Sequence, residues 1–561
     1  MANSTLFSTR YANVPAATTK NRHGAKAYQL TNKQALAQMA STGCLRDTFY
    51  VSAGEQLDMI LDLAKEVDSD YLAKVAVYAR TKGFMKDSPA LLMAILACRS
   101  NSEHGTAKEG HSAALFRKAF PLVIDNGKMV RNLVQMLRSG KIDGKTHNLS
   151  ANTVVRKCIV NLLNSTPTWV LFKWSIGNDP SLADVIRMVH PKPIDCDHAA
   201  LYQYLLSSTR LDEETGTRRT YFKGNVRYEH TFDQLPSMVQ EYEAFKNNRD
   251  REVPNVDFRL LDSLELTDLQ WRDVALNAPW LMALKNINTF NRHGVFNSQS
   301  MVDAVAAKLR NRKLVLESKS FPYQLLVAYL ETEGVPNEIS EALHDAMEIA
   351  TEKVPVIDGQ VYVLVDISGS MEWSITGHQY AGMYWNQRQQ KVSKVRCVDV
   401  AALVGASFLR KNPKTKIIPF NTDVRNIRVD ARDSIMTNAQ RLASEVGGGT
   451  NVAAAIMALN NENAKGDLVL VVSDNESWFD SSRARRQGTV AQEEWQKFKK
   501  RNPSSKLVCL DIVPDTTTQH AQRSGVLNVG GFSDQVFGVI ASFVQGDSAD
   551  YWVEQIDATV L

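Results

Sequence analysis

Apolar positions in the first 350 residues recur with the period of a helix. In "EQLDMILDLAKEV", Leu57, Ile60, Leu61 and Ala64 stand at i, i+3, i+4 and i+7, which places them on one helical face. "DYLAKVAVYARTKG" continues the pattern and stops at Gly83. "DSPALLMAILACRS" carries a start signal, with Ser88 able to cap and Pro89 suited to the first helical position. Similar helices are predicted in "VVRKCIVNLLN", "VQEYEAFKNNRD", "QSMVDAVAAKLR" and "NEISEALHDAMEIA". Alternating, strand-like patterning is nearly absent from this stretch. No strict repeat is visible, but about two helices per 35 to 45 residues predict an irregular helical solenoid, an architecture with curved surfaces suited to long ligands.

The pattern changes near residue 355. "VPVIDGQ" reads as a Pro/Gly linker. After it, the apolar runs "VYVLVD", "KIIPF", "DLVLVVSD" and "LVCLDIV" alternate with the helical stretches "KVRCVDVAALVGASFLR", "AQRLASEVG", "NVAAAIMALNN", "AQEEWQKFKKR" and "SDQVFGVIASFV". Continuous apolar strands separated by helices predict a parallel sheet covered on both faces. The expected organisation is therefore multidomain: an all-α repeat array over 1–355 and a doubly wound α/β domain over 356–561. The aromatic-rich stretch 373–390 reads as an inserted surface loop.

Bulk composition narrows the class. The chain has 561 residues, 44% hydrophobic and 22% charged, ordinary for a soluble globular protein and too long for one core. No run approaches eighteen apolar residues, so a membrane span is not expected. The N-terminal "MANSTLFSTRYANVPAATTK" is polar and lacks the apolar centre of a signal peptide. The six cysteines, Cys44, Cys98, Cys158, Cys196, Cys397 and Cys509, form no Cys-x-x-Cys pair, so neither a zinc knuckle nor a disulfide framework is indicated. His104 and His111 of "HGTAKEGH" lack further nearby ligands and read as a loop. A cytoplasmic monomer is the expectation. The net charge of +4 is unevenly spread: residues 1–160 hold 22 Lys plus Arg against 12 Asp plus Glu, whereas 161–355 hold 21 against 27. A basic N-terminal third suits polyanion binding through counterion release, and a solvated face with a chance bias accounts for it equally well.

The most specific chemistry lies in "VYVLVDISGSM". A buried strand runs into Asp366, and Ser368 and Ser370 follow on alternate residues, so their side chains share one side of an extended loop. Ligands of open α/β sheets bind beyond the carboxyl ends of the strands. Asp474 ends another apolar run, and Thr450 follows the glycines of "VGGGTNV". Asp366, Ser368, Ser370, Thr450 and Asp474 thus offer two carboxylates and three hydroxyls to a hard divalent cation, Mg²⁺ before others. A serine-rich capping turn is the plainer reading of "DISGS" alone.

"VDISGSM", "GGGTNV" and "VVSDNES" resemble the metal-ion-dependent adhesion site of von Willebrand factor A-type domains, with all five ligand positions present. That resemblance implies a docking site completed by a partner's carboxylate. Across nearly the whole chain, "RDTFYVSAGEQL", "ARTKGFMKDSPALLMAILAC", "RKCIVNLLN", "DVIRMVHPKP" and "SDNES" are similar to the Ro autoantigen (TROVE-domain) family. The resemblance implies a ring of HEAT-like helical repeats closed by the A-type domain. It further implies binding of Y RNA-like small noncoding RNA on the outer surface and of the 3′ ends of misfolded RNA in the central hole. An exoribonuclease or RNA-repair enzymes would be partners.

The family's RNA-contacting stretch matches "VLFKWSIGNDPSLADVIRMVHPKP", which places Lys173, Arg187, His190 and Lys192 on its basic positions. One position that is Arg in vertebrate members falls on Gly177. Lysine and arginine position a phosphate backbone, and a histidine can stack on an unpaired base; a packed helix-terminal histidine is the plain alternative for His190. Arg156 and Lys157 are further candidates, though such pairs commonly just face solvent. "APWLMALKNINTFNRHG" resembles a ring-lining segment, with Lys285, Asn288 and Arg292 toward RNA and Trp280 and Leu281 in the core.

The leading expectation is an RNA-binding scaffold in noncoding-RNA quality control and not an enzyme, since no phosphate-cradling Gly-x-x-x-x-Gly-Lys, Gly-x-Ser-x-Gly or His-Glu-x-x-His motif occurs. A metal-dependent protein-adhesion module without RNA function is the alternative. A nuclease built on Asp366 and Asp474 is disfavoured, because two-metal catalysis generally uses a denser carboxylate cluster.

Overall fold

The computed structural model describes residues 14–42, 45, 51–102, 110–149, 152–206, 208–211, 218–221, 235–318, 322–375, 393–477, 488–513, 515–531, 535–546 and 551–561. The described chain forms two compact units. One contains residues within 68–279 and 289–301, and the other residues within 1–67, 280–288 and 302–558. Most of the insert 373–390, together with Cys44 and His104, lies outside the described residues.

The first unit is built from helices taken two at a time. Ser69–Thr81 is followed by Asp87–Ser102, His111–Val123 by Gly127–Arg138, Thr153–Ser165 by Thr168–Trp174, and Leu182–Val189 by Cys196–Leu206. The first three pairs start at Ser69, His111 and Thr153, so each advances the chain by about forty residues, as the helical period predicts. Side chains end these helices cleanly. Asp68 accepts the Tyr71 N–H at 2.7 Å, and Ser181 and Asp184 form a reciprocal capping box. The start read at Ser88 and Pro89 is displaced: the helix begins at Asp87, and Ser88 lies buried in its first turn.

The second unit holds a five-stranded, wholly parallel sheet. Its order is Val526–Gly530, Lys506–Asp511, Leu468–Ser473, Val361–Asp366, Lys416–Phe420. Strands Val361–Asp366 and Leu468–Ser473 are buried at every residue, which is why both read as continuous apolar runs. Helices cover the sheet. Trp495 and Phe498 of Val490–Arg501 stack with ring centres 5.6 Å apart and pack with Leu364, Val469 and Val471. Helix Cys397–Lys411 approaches so closely that a Cβ on Gly405 would sit 2.9 Å from the Val365 side chain.

The compact units do not divide at residue 355. A short hairpin, Thr19–Lys20 with Lys26–Gln29, adds Thr517–Thr518 as a third strand and so joins the N-terminal segment to the α/β domain. Helix Asn337–Ala350 also belongs with that domain: Glu348 accepts the Ile435 N–H and the Arg410 guanidinium, each at 3.0 Å. The long-range hydrogen bonding of these two segments, rather than their composition, decides where they belong. Among the described residues, no helix is long and apolar enough to cross a membrane.

Candidate metal centre and basic face

In chain order the five strands lie 2-1-3-4-5 across the sheet, so the order reverses between Val361–Asp366 and Leu468–Ser473. A crevice opens at such a reversal because the two crossover connections leave on opposite sides. Asp366 ends the first of these strands and Asp474 immediately follows the second. The topology therefore brings both predicted carboxylates to one place.

Three loops are stitched together there. The Gly369 N–H donates to the Gly448 carbonyl at 2.9 Å, and the Gly447 N–H to the Ile367 carbonyl at 2.8 Å. Asn421 donates its side-chain amide to the Gly447 carbonyl, and its own carbonyl accepts the Asn451 N–H. Gly447 and Gly448 have φ of +147° and +83°, and a Cβ on Gly369 would meet the Gly448 oxygen at 3.1 Å. The glycine run before Thr450 is thus required by backbone conformation and by the closeness of two loops.

Asp366 and Ser368 have no exposed surface, Asp474 and Thr450 are buried, and Ser370 is half-buried. One Asp366 oxygen accepts the Ser368 N–H at 2.8 Å and the other accepts the Ser473 hydroxyl at 2.5 Å. The Ser368 and Ser370 oxygens lie 3.2 Å apart. Burial, and then the charge of Asp474, push the Asp366 carboxyl up to about 7. A desolvated carboxylate facing a second carboxylate, with hydroxyls at hand, is a donor set that fits a hard divalent cation.

Sequence reading missed the shell around this set. Ser473 ties the two carboxylate strands together. Glu476, in "SDNES", is buried, and burial followed by the charges of Asp515 and Asp474 pushes its carboxyl up to about 8. Arg22 balances this acidic edge, its N–H donating to Glu476 and its guanidinium to Asp515 at 2.6 Å. The Asp/Glu density between 474 and 515 was the available signal; its partner stands more than 450 residues away.

The basic RNA-binding candidates are all at the protein surface. Lys173 is half-buried, with its ammonium 4.8 Å from the ring centre of Trp169, itself 49% exposed. Arg187 is exposed but committed to Asp184 at 3.0 Å and to the Leu206 carbonyl at 3.2 Å. His190 is exposed and ends its helix in the left-handed conformation, φ +49°. Lys192 is exposed and its carbonyl accepts the Asn164 amide, which places it beside helix Thr153–Ser165. Arg156 and Lys157 are exposed two turns earlier on that helix. Gly177 has φ +114°, and a Cβ there would come 2.9 Å from the Arg131 guanidinium, which donates to the Trp174 carbonyl. A cation therefore does stand in front of Gly177, supplied by another helix. Lys285, Asn288 and Arg292 are exposed; Trp280 is buried, with its indole N–H on the Leu309 carbonyl at 3.0 Å, and Leu281 is half-buried.

The parallel α/β fold with Asp366 and Asp474 at its switch point has the form of a von Willebrand factor A-type domain, and residues 360–544 match the family described as the Ro60 vWA domain. The whole chain is 23% identical over 556 residues to "RNA-binding protein RO60" of Deinococcus radiodurans, spanning 94% of this chain and 95% of that protein. The crystal structure of the Deinococcus radiodurans RO (RSR) protein matches with a TM-score of 0.56 at 19% identity, over 92% of this chain and 100% of that one. The helical-repeat and A-type α/β fold is the one that the resemblance to Ro proteins implies.

Proposed function

We propose that this chain is an RNA-binding scaffold that works without a catalytic centre of its own. The observation that carries the reading is similarity along nearly its full length to a protein named for RNA binding. The exposed cations Arg156, Lys157, Arg187 and Lys192, with the Lys173–Trp169 pair, supply the chemistry: charge for phosphates and an aromatic face for a base. In this reading a Y RNA-like small RNA lies on the helical unit, single-stranded 3′ ends of misfolded RNA are a second ligand, and an exoribonuclease or RNA-repair enzymes act alongside. Asp366, Ser368, Ser370, Thr450 and Asp474 hold a divalent cation, Mg²⁺, which would present a Lewis-acidic position to a partner's carboxylate.

The test is a gel shift with a small structured RNA over a range of salt. Replacing Lys173, Arg187 and Lys192 together by Ala should weaken binding and lower the salt slope by about 2 to 3, roughly one per lost phosphate contact. Unchanged affinity and slope would remove this face from the RNA site.

A further inference from the structure

Cys98, Asp143 and His147 converge on the helical unit although they are separated by up to 49 residues in the chain. Their donor atoms all lie within 4.8 Å of one another. Cys98 is half-buried on helix Asp87–Ser102. Asp143 and His147 stand on the loop between helices Gly127–Arg138 and Thr153–Ser165, in "SGKIDGKTHN". Gly140 and Gly144 turn that loop with φ of +71° and +75°, and the His147 N–H anchors it to the Leu137 carbonyl at 3.0 Å.

The geometry distinguishes between two readings. In a Cys-His-Asp nucleophile, the carboxylate holds one ring nitrogen and the thiol the other, so that the imidazole relays a proton. Here one nitrogen serves both partners. His147 Nε2 lies 3.3 Å from the Cys98 sulfur and 2.8 and 3.0 Å from the two Asp143 oxygens. Burial, and then the Asp143 charge, also push the thiol up to about 12, far from a reactive thiolate. Three donor atoms within 4.8 Å of one another instead match a metal centre. Zinc binds sulfur at about 2.3 Å and nitrogen at about 2.0 Å, so a tetrahedral site holds the two about 3.5 Å apart. The distance here is 3.3 Å, and opening the cluster by a few tenths of an ångström admits the ion.

We propose that Cys98 Sγ, His147 Nε2 and an Asp143 carboxylate oxygen bind a zinc ion, with solvent as fourth ligand. Binding displaces the thiol proton to solvent, leaving a thiolate, a neutral imidazole and a carboxylate on the metal. The side chain of Asp143 is 35% exposed and that of His147 14% exposed, so the ion and its water have access. The centre clamps the 139–149 loop to helix Asp87–Ser102. Its soft sulfur ligand sets it apart from the all-oxygen set at Asp366, which favours Mg²⁺.

The test uses the full chain, stripped with chelator and then held in excess Mg²⁺. Zinc is titrated against a chromogenic chelator, and Co²⁺ is added separately for its thiolate-to-metal charge-transfer band. Wild type should take up about one zinc per chain and show the band. Cys98→Ser should lose both, His147→Gln should lose the zinc, and Cys196→Ser, at an exposed cysteine away from the cluster, should keep both. Circular dichroism of each metal-free variant confirms that it is folded; should Cys98→Ser not fold, His147→Gln and Asp143→Asn decide. Absence of stoichiometric zinc in wild type, or a band that survives Cys98→Ser and disappears with Cys196→Ser, would overturn the assignment.

Discussion

A histidine buried in the interior records its burial as a pH dependence. His520 is buried, with Nδ1 at 3.3 Å from the Cys509 sulfur. Burial pushes its pKa down from 6.5 to about 4. The folded state therefore keeps the neutral ring, while the unfolded chain takes up a proton near 6.5. Stability from this residue is complete above pH 6.5, falls as pH drops through that value and is gone below about 4. By linkage the loss is about 3 kcal/mol, an upper figure that relaxation reduces. Denaturant unfolding followed between pH 7 and pH 4 should show wild type losing that much more stability than His520→Gln. Parallel curves for the two proteins would refute the assignment. Asp366 is the opposite case. Its raised pKa reflects burial and the neighbouring Asp474, a penalty that the proposed cation at the strand tip would relieve.

At the level of elements, the proposed cation site depends on loops as much as on ligands. Gly448 has φ +83°, and a Cβ there would come 3.0 Å from the Asn421 amide that holds the preceding carbonyl, that of Gly447. Gly448→Val should therefore weaken Mn²⁺ binding, measured by calorimetry, although no donor is removed. Asp366→Ala should abolish it, and both should leave RNA affinity within about twofold, because the proposed RNA face is on other elements. Retained Mn²⁺ affinity in Asp366→Ala would rule out the ligand set. These elements were unequally legible in the sequence. Strands buried on both faces leave uninterrupted apolar runs, so Val361–Asp366 and Leu468–Ser473 were readable with their terminal carboxylates. Val526–Gly530, with Asn528 at its centre and glycine at its end, was not. Neither was the 19–29 hairpin, whose pairing with Thr517–Thr518 is set by residues almost 500 positions away. The Asx and serine geometry at "DISGS" was readable because it is local. The cluster of Cys98 with His147 was not, since only the packing of a loop on a helix brings them together.

For the molecule as a whole, the question is how charge and stacking would share the proposed binding of RNA. The excess of 22 cations over 12 anions in residues 1–160 gives attraction that any polyanion feels and salt weakens. Many of those cations are already engaged: Arg80 pairs with Asp125 at 2.8 Å, and Arg131 is tied to the Trp174 carbonyl. Net charge therefore overstates the phosphate-contacting capacity, and discrimination in favour of unpaired bases needs a second element. Trp169 supplies it. A tryptophan 49% exposed is an unfavourable use of apolar surface unless something covers it, and here the Lys173 ammonium lies 4.8 Å from its ring centre. An unpaired base could take the open face while the lysine meets the adjoining phosphate. Trp169→Ala should then cost roughly 5- to 150-fold in affinity for single-stranded RNA, from about 1 to 3 kcal/mol per stacked base, with the salt slope unchanged. Lys173→Ala should do the reverse, costing less at high salt and lowering the slope by about one. Fluorescence titration of both variants at several salt concentrations separates the effects, and the tryptophan idea fails if its removal changes only the slope or leaves affinity intact.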